Sequence, residues 1–317
     1  MGERPAGISR GSAAILRPMA TSPTLEPAPK DAFWALEAVR GRVDESLRSF
    51  LAERRAEMAS LDPDSADLVD ELGRLVAAGG KRLRPAFCVW GHLACGGVDG
   101  GSVIRAAAAL ELLHTFALVH DDVMDDADER RGVPTTQARF ALTAKDGARR
   151  ESFGRSVAVL VGDLGAVLAE SMLRTSGFEA ERVAAALDRF DRMRVEMAAG
   201  QYLDLAGVAR RDVASAEHVA NLKGGSYTVE GPLMIGAALA GASAEMDSAL
   251  AAFARPAGEA FQLRDDLSDH DAAPGISADR VNELVARAIA ALEGAPLQRE
   301  AVRALRSLAE LLRPEPA

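Results

Sequence analysis

Apolar residues recur at helical spacing through most of the chain. Between 31 and 60, Phe33, Leu36, Val39, Val43, Leu47, Phe50 and Leu51 keep a three-four rhythm, which predicts one long amphipathic helix. The same period predicts helices over 64–78, 156–173, 183–205, 278–292 and 297–312. A longer apolar run, 106–119, carries Leu110, Leu113, Ala117 and Leu118 at helical intervals and leads straight into the acidic stretch HDDVMDDADERRG at 120–132. Paired glycines punctuate the pattern. Gly79 and Gly80 end one helix before Pro85 opens the next, and Gly224 and Gly225 predict a kink that frees backbone carbonyls. Few runs are β-branched, so the expected fold class is all-α.

Composition narrows this further. A chain of 317 residues, 48% apolar and 26% charged, can bury one sizeable core. Aromatics are only 4% and alanine is abundant, which implies helices packed closely through small side chains. Residues 1–30, rich in Pro, Gly, Ser and Ala without periodicity, read as a disordered tail, leaving 31–317 as a single domain. A net charge of −10, with no basic stripe interleaved with aromatics, argues against nucleic acid as a partner. No uninterrupted apolar run reaches the roughly eighteen residues of a membrane span, and the N-terminus has no apolar signal core, so the expectation is a soluble cytoplasmic protein. Cys88 and Cys95, seven apart on one helical face, read as packing or inert thiols in preference to a bridge or metal site.

The candidate chemistry is acidic. If the helix continues through 120–132, Asp121 and Asp125 stand one turn apart, with Asp122 beside them and Asp128 a turn further on. Carboxylates this close repel, and a hard oxygen-seeking cation such as Mg²⁺ relieves them. Alone, such a cluster reads first as a solvated acidic helix end. A second copy of the spacing shifts that balance: FQLRDDLSD at 261–269 places Asp265, Asp266 and Asp269 in the same pattern. Two matched triplets on apolar helices are suited to facing one another across a cavity and clamping metal ions. An EF-hand is excluded, because neither triplet has its glycine and glutamate. In GGKRLRP, 79–85, Lys81, Arg82 and Arg84 crowd positive charge at a helix start, where anions are drawn, although a lone basic loop is usually just solvated. His114, seven before Asp121, either reaches the same anion or sits satisfied in the core. Arg130 and Arg131 have the fork that matches phosphate oxygens. Lysine occurs only at 30, 81, 145 and 223, so two of four fall in candidate sites. Asp163 and Asp204 read as caps or surface residues before supporting acids.

Together GGKRLRP, LLHTFALVHDDVMDDADERRG, LVGD, GQYLDL, SYTVEGPL and FQLRDDLSD, in this order from about 31 to 269, resemble the trans-isoprenyl diphosphate synthases, the polyprenyl synthetase family. The resemblance implies an isoprenoid-synthase bundle around a deep cavity, assembled as a homodimer. It further implies condensation of isopentenyl diphosphate with allylic prenyl diphosphates. Carried over by position, it makes Asp121, Asp125 and Asp265 direct Mg²⁺ ligands, with Asp122, Asp266 and Asp269 direct or through water, and three Mg²⁺ in each active site. The metals, Arg130 and Lys223 would hold the allylic diphosphate. Lys81, Arg84, His114 and Arg131 correspond to the isopentenyl diphosphate site, and Gln262 with the carbonyls near Lys223 to the neighbourhood of the allylic cation. Phe116 resembles the bulky cavity floor of short-chain members, with small Ala117 beside it; ordinary core packing is the alternative. That floor, and a first cluster without the two extra residues of typical bacterial farnesyl enzymes, favour the C20 product geranylgeranyl diphosphate.

The resemblance weakens after Asp269. The family continues through a loop containing glycines and lysines, whereas here only HDAAPGIS, 270–277, intervenes and no lysine follows Lys223. Gly224 stands where threonine is usual, and Gln137 where histidine is common. A synthase with an abbreviated lid, a class I terpene cyclase and a non-catalytic modulating subunit of a heteromeric synthase all fit these departures. Retention of GGKRLRP, His114 and Arg131 counts against the cyclase, and six intact aspartates count against the modulating subunit.

Overall fold

The computed structural model describes residues 33–130, 132–208, 212–268 and 277–314. In chain order its elements are α1 (Trp34–Leu61), α2 (Ala66–Ala77), α3 (Leu83–Ala94), α4 (Gly101–Met124), the strands β1 (Glu129–Arg130) and β2 (Val133–Pro134), α5 (Thr136–Ala141), α6 (Arg150–Arg174), α7 (Ala180–Leu205) and α8 (Val213–Ala220). A π-helical segment (Asn221–Glu230) follows, then α9 (Gly231–Ala240), α10 (Ala244–Ser268), α11 (Ala278–Ala291) and α12 (Arg299–Glu310). The all-α expectation holds. The two strands form only a short antiparallel ribbon, Glu129 opposite Pro134 and Arg130 opposite Val133.

Amphipathicity decides which helices form the shell. α1 buries Leu36, Val39, Val43, Leu47, Phe50 and Leu51 along one side, as its period requires. Phe33 differs from expectation: it precedes the first turn and is 51% exposed. α3, α4 and α9 are apolar nearly all round and form the centre, with Phe87, Leu110, Leu112, Leu113 and Leu233 fully buried. Small residues do set the packing. A Cβ on Gly236 would lie 2.0 Å from the Cys88 carbonyl oxygen and one on Gly91 2.5 Å from that of Leu233, so α3 and α9 meet backbone to backbone. Cys88 and Cys95 are free, and burial pushes their thiols up to about 12 and about 11, which leaves them inert.

Two helices, Gly101–Met124 and Gly147–Arg174, are long and apolar enough to cross a membrane by length and composition alone, a test that uninterrupted runs did not reveal. Isolated polar residues such as Arg105, Glu111 and His114 interrupt the first of them. Of their most apolar windows 67% and 50% are buried inside the fold, which gives both a role as core helices here. The tail 1–30, Arg131, Asp269 and the 270–276 part of the shortened loop lie outside the described residues.

Candidate active site

The GGKRLRP loop divides its cations between two tasks. Arg82 adopts φ +56°, rare for a residue with a side chain, and its buried guanidinium donates to Asp44 Oδ1, Glu111 Oε2 and the Val76 carbonyl, each at 2.8 Å. That arginine anchors the loop. Lys81 and Arg84, on either side of it, line a cavity of about 860 Å³. Arg84 Nη2 donates to Thr228 Oγ1 at 2.9 Å, and its guanidinium carbon lies 4.4 Å from the Tyr227 ring centroid, a cation–π stack. Tyr227 is buried beneath it; burial pushes its phenol above the usual value, and its hydroxyl has no hydrogen-bond partner among the described residues. His114 lines the same cavity, its ring 6.3 Å from that of Tyr227.

α4 supplies the opposite charge through one face, with Glu111, His114, Thr115, Leu118 and Asp121 all lining the cavity. Lys223, Gly224 and Thr228 of the π-segment and Gln262, Asp265 and Asp266 of α10 complete the wall. The two acidic clusters therefore share one cavity through Asp121, Asp265 and Asp266. Asp122 and Asp125 lie off its lining. Asp122 is buried and accepts from Arg130 Nε at 2.6 Å, while Arg130 Nη2 reaches Asp121 Oδ2 at 3.0 Å. Arg130, expected on the allylic diphosphate, is instead engaged by the first cluster, because the ribbon carries it directly over α4's end. Burial pushes Asp122 above the ordinary carboxylate value, outweighing Arg130, with Asp121 and Asp125 adding to the rise. Asp125 is raised in the same way, by burial and then by Asp121.

Several expectations need correcting. Phe116 and Ala117 are absent from the cavity wall: Phe116 falls off the face that presents His114, Leu118 and Asp121, and Ala117, beside that face, packs against the core. Phe116 packs edge-on against His120, ring centroids 4.8 Å apart, and its Cβ is 3.4 Å from where a Cβ on Gly165 of α6 would sit. Asp204, read as a cap or surface acid, accepts from Lys223 Nζ at 2.7 Å, which leaves that amine 3.9 Å from Asp121. Gln201, one turn earlier on α7, donates to Asp121 Oδ1 at 3.2 Å. The signal for both was the i, i+3 spacing inside GQYLDL, without any indication of which helix they would meet. Asp163 is a surface residue, 64% exposed and 3.7 Å from His120. Around Gly224 and Gly225 the chain widens into a π-helix instead of kinking, so its carbonyls stay in an i→i+5 ladder. Gln137, where the resemblance suggested histidine, supplies a donor, its Nε2 bridging the Asp122 carbonyl at 3.2 Å and the Ala127 carbonyl at 2.8 Å.

With this geometry in place, comparison with known sequences gives the lineage, for the signature of the polyprenyl synthetase family matches residues 66–277. The chain belongs to the polyprenyl synthetase family. Among its relatives, a geranylgeranyl diphosphate synthase of Methanosarcina mazei is 36% identical over 62% of this chain and 56% of its own length. A short chain isoprenyl diphosphate synthase of Methanothermobacter thermautotrophicus is 32% identical over 70% of this chain and 64% of its own length. The chain thus spans less than two thirds of these polyprenyl synthetase relatives. The crystal structure of a Corynebacterium glutamicum geranylgeranyl pyrophosphate synthase, complexed with isoprenyl diphosphate and magnesium, superposes with a TM-score of 0.79 at 28% identity, covering 89% of this chain and 99% of that one.

Proposed function

We propose that the protein is a prenyltransferase that condenses isopentenyl diphosphate with an allylic diphosphate to a short-chain prenyl diphosphate, with the C20 geranylgeranyl product favoured. The observation that carries this reading is a single cavity holding Lys81, Arg84 and His114 on one side and Asp121, Lys223, Asp265 and Asp266 on the other. Between them Leu36, Leu75, Val76, Leu83 and Leu118 supply apolar wall. Two sets of anion-handling groups in one pocket suit two diphosphates. A cyclase needs only one. The names of the Methanosarcina and Corynebacterium proteins support the C20 product.

The donor set fits Mg²⁺. Asp121, Asp265 and Asp266 offer hard carboxylate oxygens to one cavity, yet among the described residues no three acids converge into a ready-made ion site. Mg²⁺ takes one or two carboxylates and completes its shell with water and substrate phosphate, so an open arrangement is what it requires. When bound, it would supply charge neutralisation of the leaving diphosphate. Asp269, beyond the described residues, is assigned with these acids, and Asp122 and Asp125 act from the first cluster.

Lys223 holds the allylic diphosphate as its carbon–oxygen bond breaks and the electron pair leaves with the diphosphate. Lys81, Arg84 and His114, with Arg131, hold isopentenyl diphosphate so that its double bond meets the allylic carbon. Gln262 turns its amide dipole toward the positive charge, and the apolar wall keeps water away. A proton then passes to the released diphosphate, leaving a chain five carbons longer. A homodimer completes the proposal: Phe153, Leu160 and Val167, seven apart on α6, are 44%, 54% and 64% exposed, an apolar stripe suited to a second copy.

Incubation with isopentenyl diphosphate, Mg²⁺ and each allylic primer, read by mass spectrometry, tests the reading. Prenyl diphosphates of increasing length support it. Hydrocarbons or terpene alcohols from a single long substrate would make the protein a cyclase, and products that form only after another subunit is added would make it a modulator.

A further inference from the structure

Two glycines determine how the π-segment meets α10. A Cβ on Gly225 would lie 2.9 Å from the Gly258 carbonyl oxygen, and one on Gly258 2.8 Å from the Gly225 carbonyl oxygen, so the backbones touch. α7 holds the segment from its other side: a Cβ on Gly200 would fall 2.7 Å from the Lys223 amide nitrogen. The backbone around Gly224 has no room to retreat. Gly224 itself lines the cavity, and the space a side chain there would need is filled by Gln262, whose Oε1 lies 1.7 Å from where that Cβ would be. From this position Gln262 Nε2 donates to Asp266 Oδ1 at 2.8 Å.

We propose that Gly224 is a positioning residue for the second acidic cluster. By carrying no side chain, it lets Gln262 lie across the π-segment and hold the Asp266 carboxylate toward the divalent ion. The inference rests on the reading above, in which this cluster binds Mg²⁺ with diphosphate. Gly224 acts only through Gln262. A methyl group at 224 cannot move two backbones already in contact, so it displaces the one flexible neighbour, the glutamine amide. Asp266 then loses a charge-assisted hydrogen bond and swings more freely. Gly224 is, on this account, one half of a pair whose other half is the reach of Gln262.

The test is calorimetric titration of Mg²⁺ in the presence of inorganic pyrophosphate, with the full chain as wild type, Gly224→Ala, Gln262→Ala and the double variant. Melting curves recorded in chelator show whether each is folded, and if Gly224→Ala melts early its stability should recover in the double variant, where the glutamine it collides with is gone. Each single change is expected to weaken Mg²⁺–pyrophosphate binding by about tenfold. The double variant should bind no more weakly than Gln262→Ala, because the two changes remove the same contact. Wild-type binding by Gly224→Ala, or an equal further loss in the Gln262→Ala background, overturns the proposal. A wild type that makes no prenyl diphosphate counts against the synthase reading alone, since the binding comparison still decides the role of Gly224.

Discussion

Asp125 shows what crowding carboxylates at one helix end costs the fold. Burial and the charge of Asp121 raise its carboxyl above the ordinary value of 3.8. A carboxyl raised in the folded state contributes most below that ordinary value, and its contribution is lost as the pH rises through the folded value. At neutral pH the charged Asp125 therefore works against the fold unless a cation joins it, though only weakly, because the residue is exposed and water screens its charge. Asp125→Asn is expected to raise the melting temperature of the chelator-treated protein and to lower turnover by about 100-fold or more; an unchanged melting temperature with full activity would remove Asp125 from the site. Which residues carry charge into the cavity was largely legible in the sequence, since Asp121, Asp265, Lys81 and Arg84 all arrive there. Which of the loop's two arginines lining it would be spent on anchoring that loop was not. Arg82 and Arg84 differ only in that one is turned inward by a left-handed backbone and met by Asp44 and Glu111, partners 38 and 29 residues away.

At the level of elements, the ribbon that carries Arg130 is tied to α2 through a second buried acid besides Asp122. Glu71 of α2 is fully buried; it takes Arg74 Nη2 at 2.6 Å and Thr136 Oγ1 at 2.9 Å, and Arg139 as well, while Arg74 also reaches the Pro134 carbonyl. Burial pushes the Glu71 carboxyl up, but the hydrogen bonds and charges of Arg74, Thr136 and Arg139 hold it below its ordinary 4.5. Its contribution is thus present above about 4.5 and is lost as the pH falls through the lower folded value. Glu71→Gln should cost about 3 kcal/mol at neutral pH, measured by denaturant unfolding, and should flatten the acid side of the stability profile; a loss under about 0.5 kcal/mol would show the network to be dispensable. Helix positions followed from apolar period, so α1, α7, α11 and α12 lie close to where the sequence put them. The π-segment did not. Its pitch depends on Gly200 and Gly258, contributed by other helices, that let the wider coil fit.

For the whole molecule, the open question in the chain pattern was what covers α6. Its outward residues Phe153, Leu160 and Val167 are apolar and at least 44% exposed, a stripe along one helix. Leu160→Glu places a charge in the middle of that stripe and is expected to convert a dimer to monomer in sedimentation velocity without lowering helix content. A dimer that survives the change locates the interface elsewhere. Sequence patterning could predict that α6 is apolar on more than one side but not which side faces its own core, because a buried helix and an interface helix share one composition.

The guanidinium of Arg130 already occupies oxygens of Asp121 and Asp122. On the proposed reading, a divalent ion taken up by Asp121 would compete with this guanidinium for the carboxylate. An arginine displaced in that way would be left beside the first cluster with its fork free for phosphate oxygens.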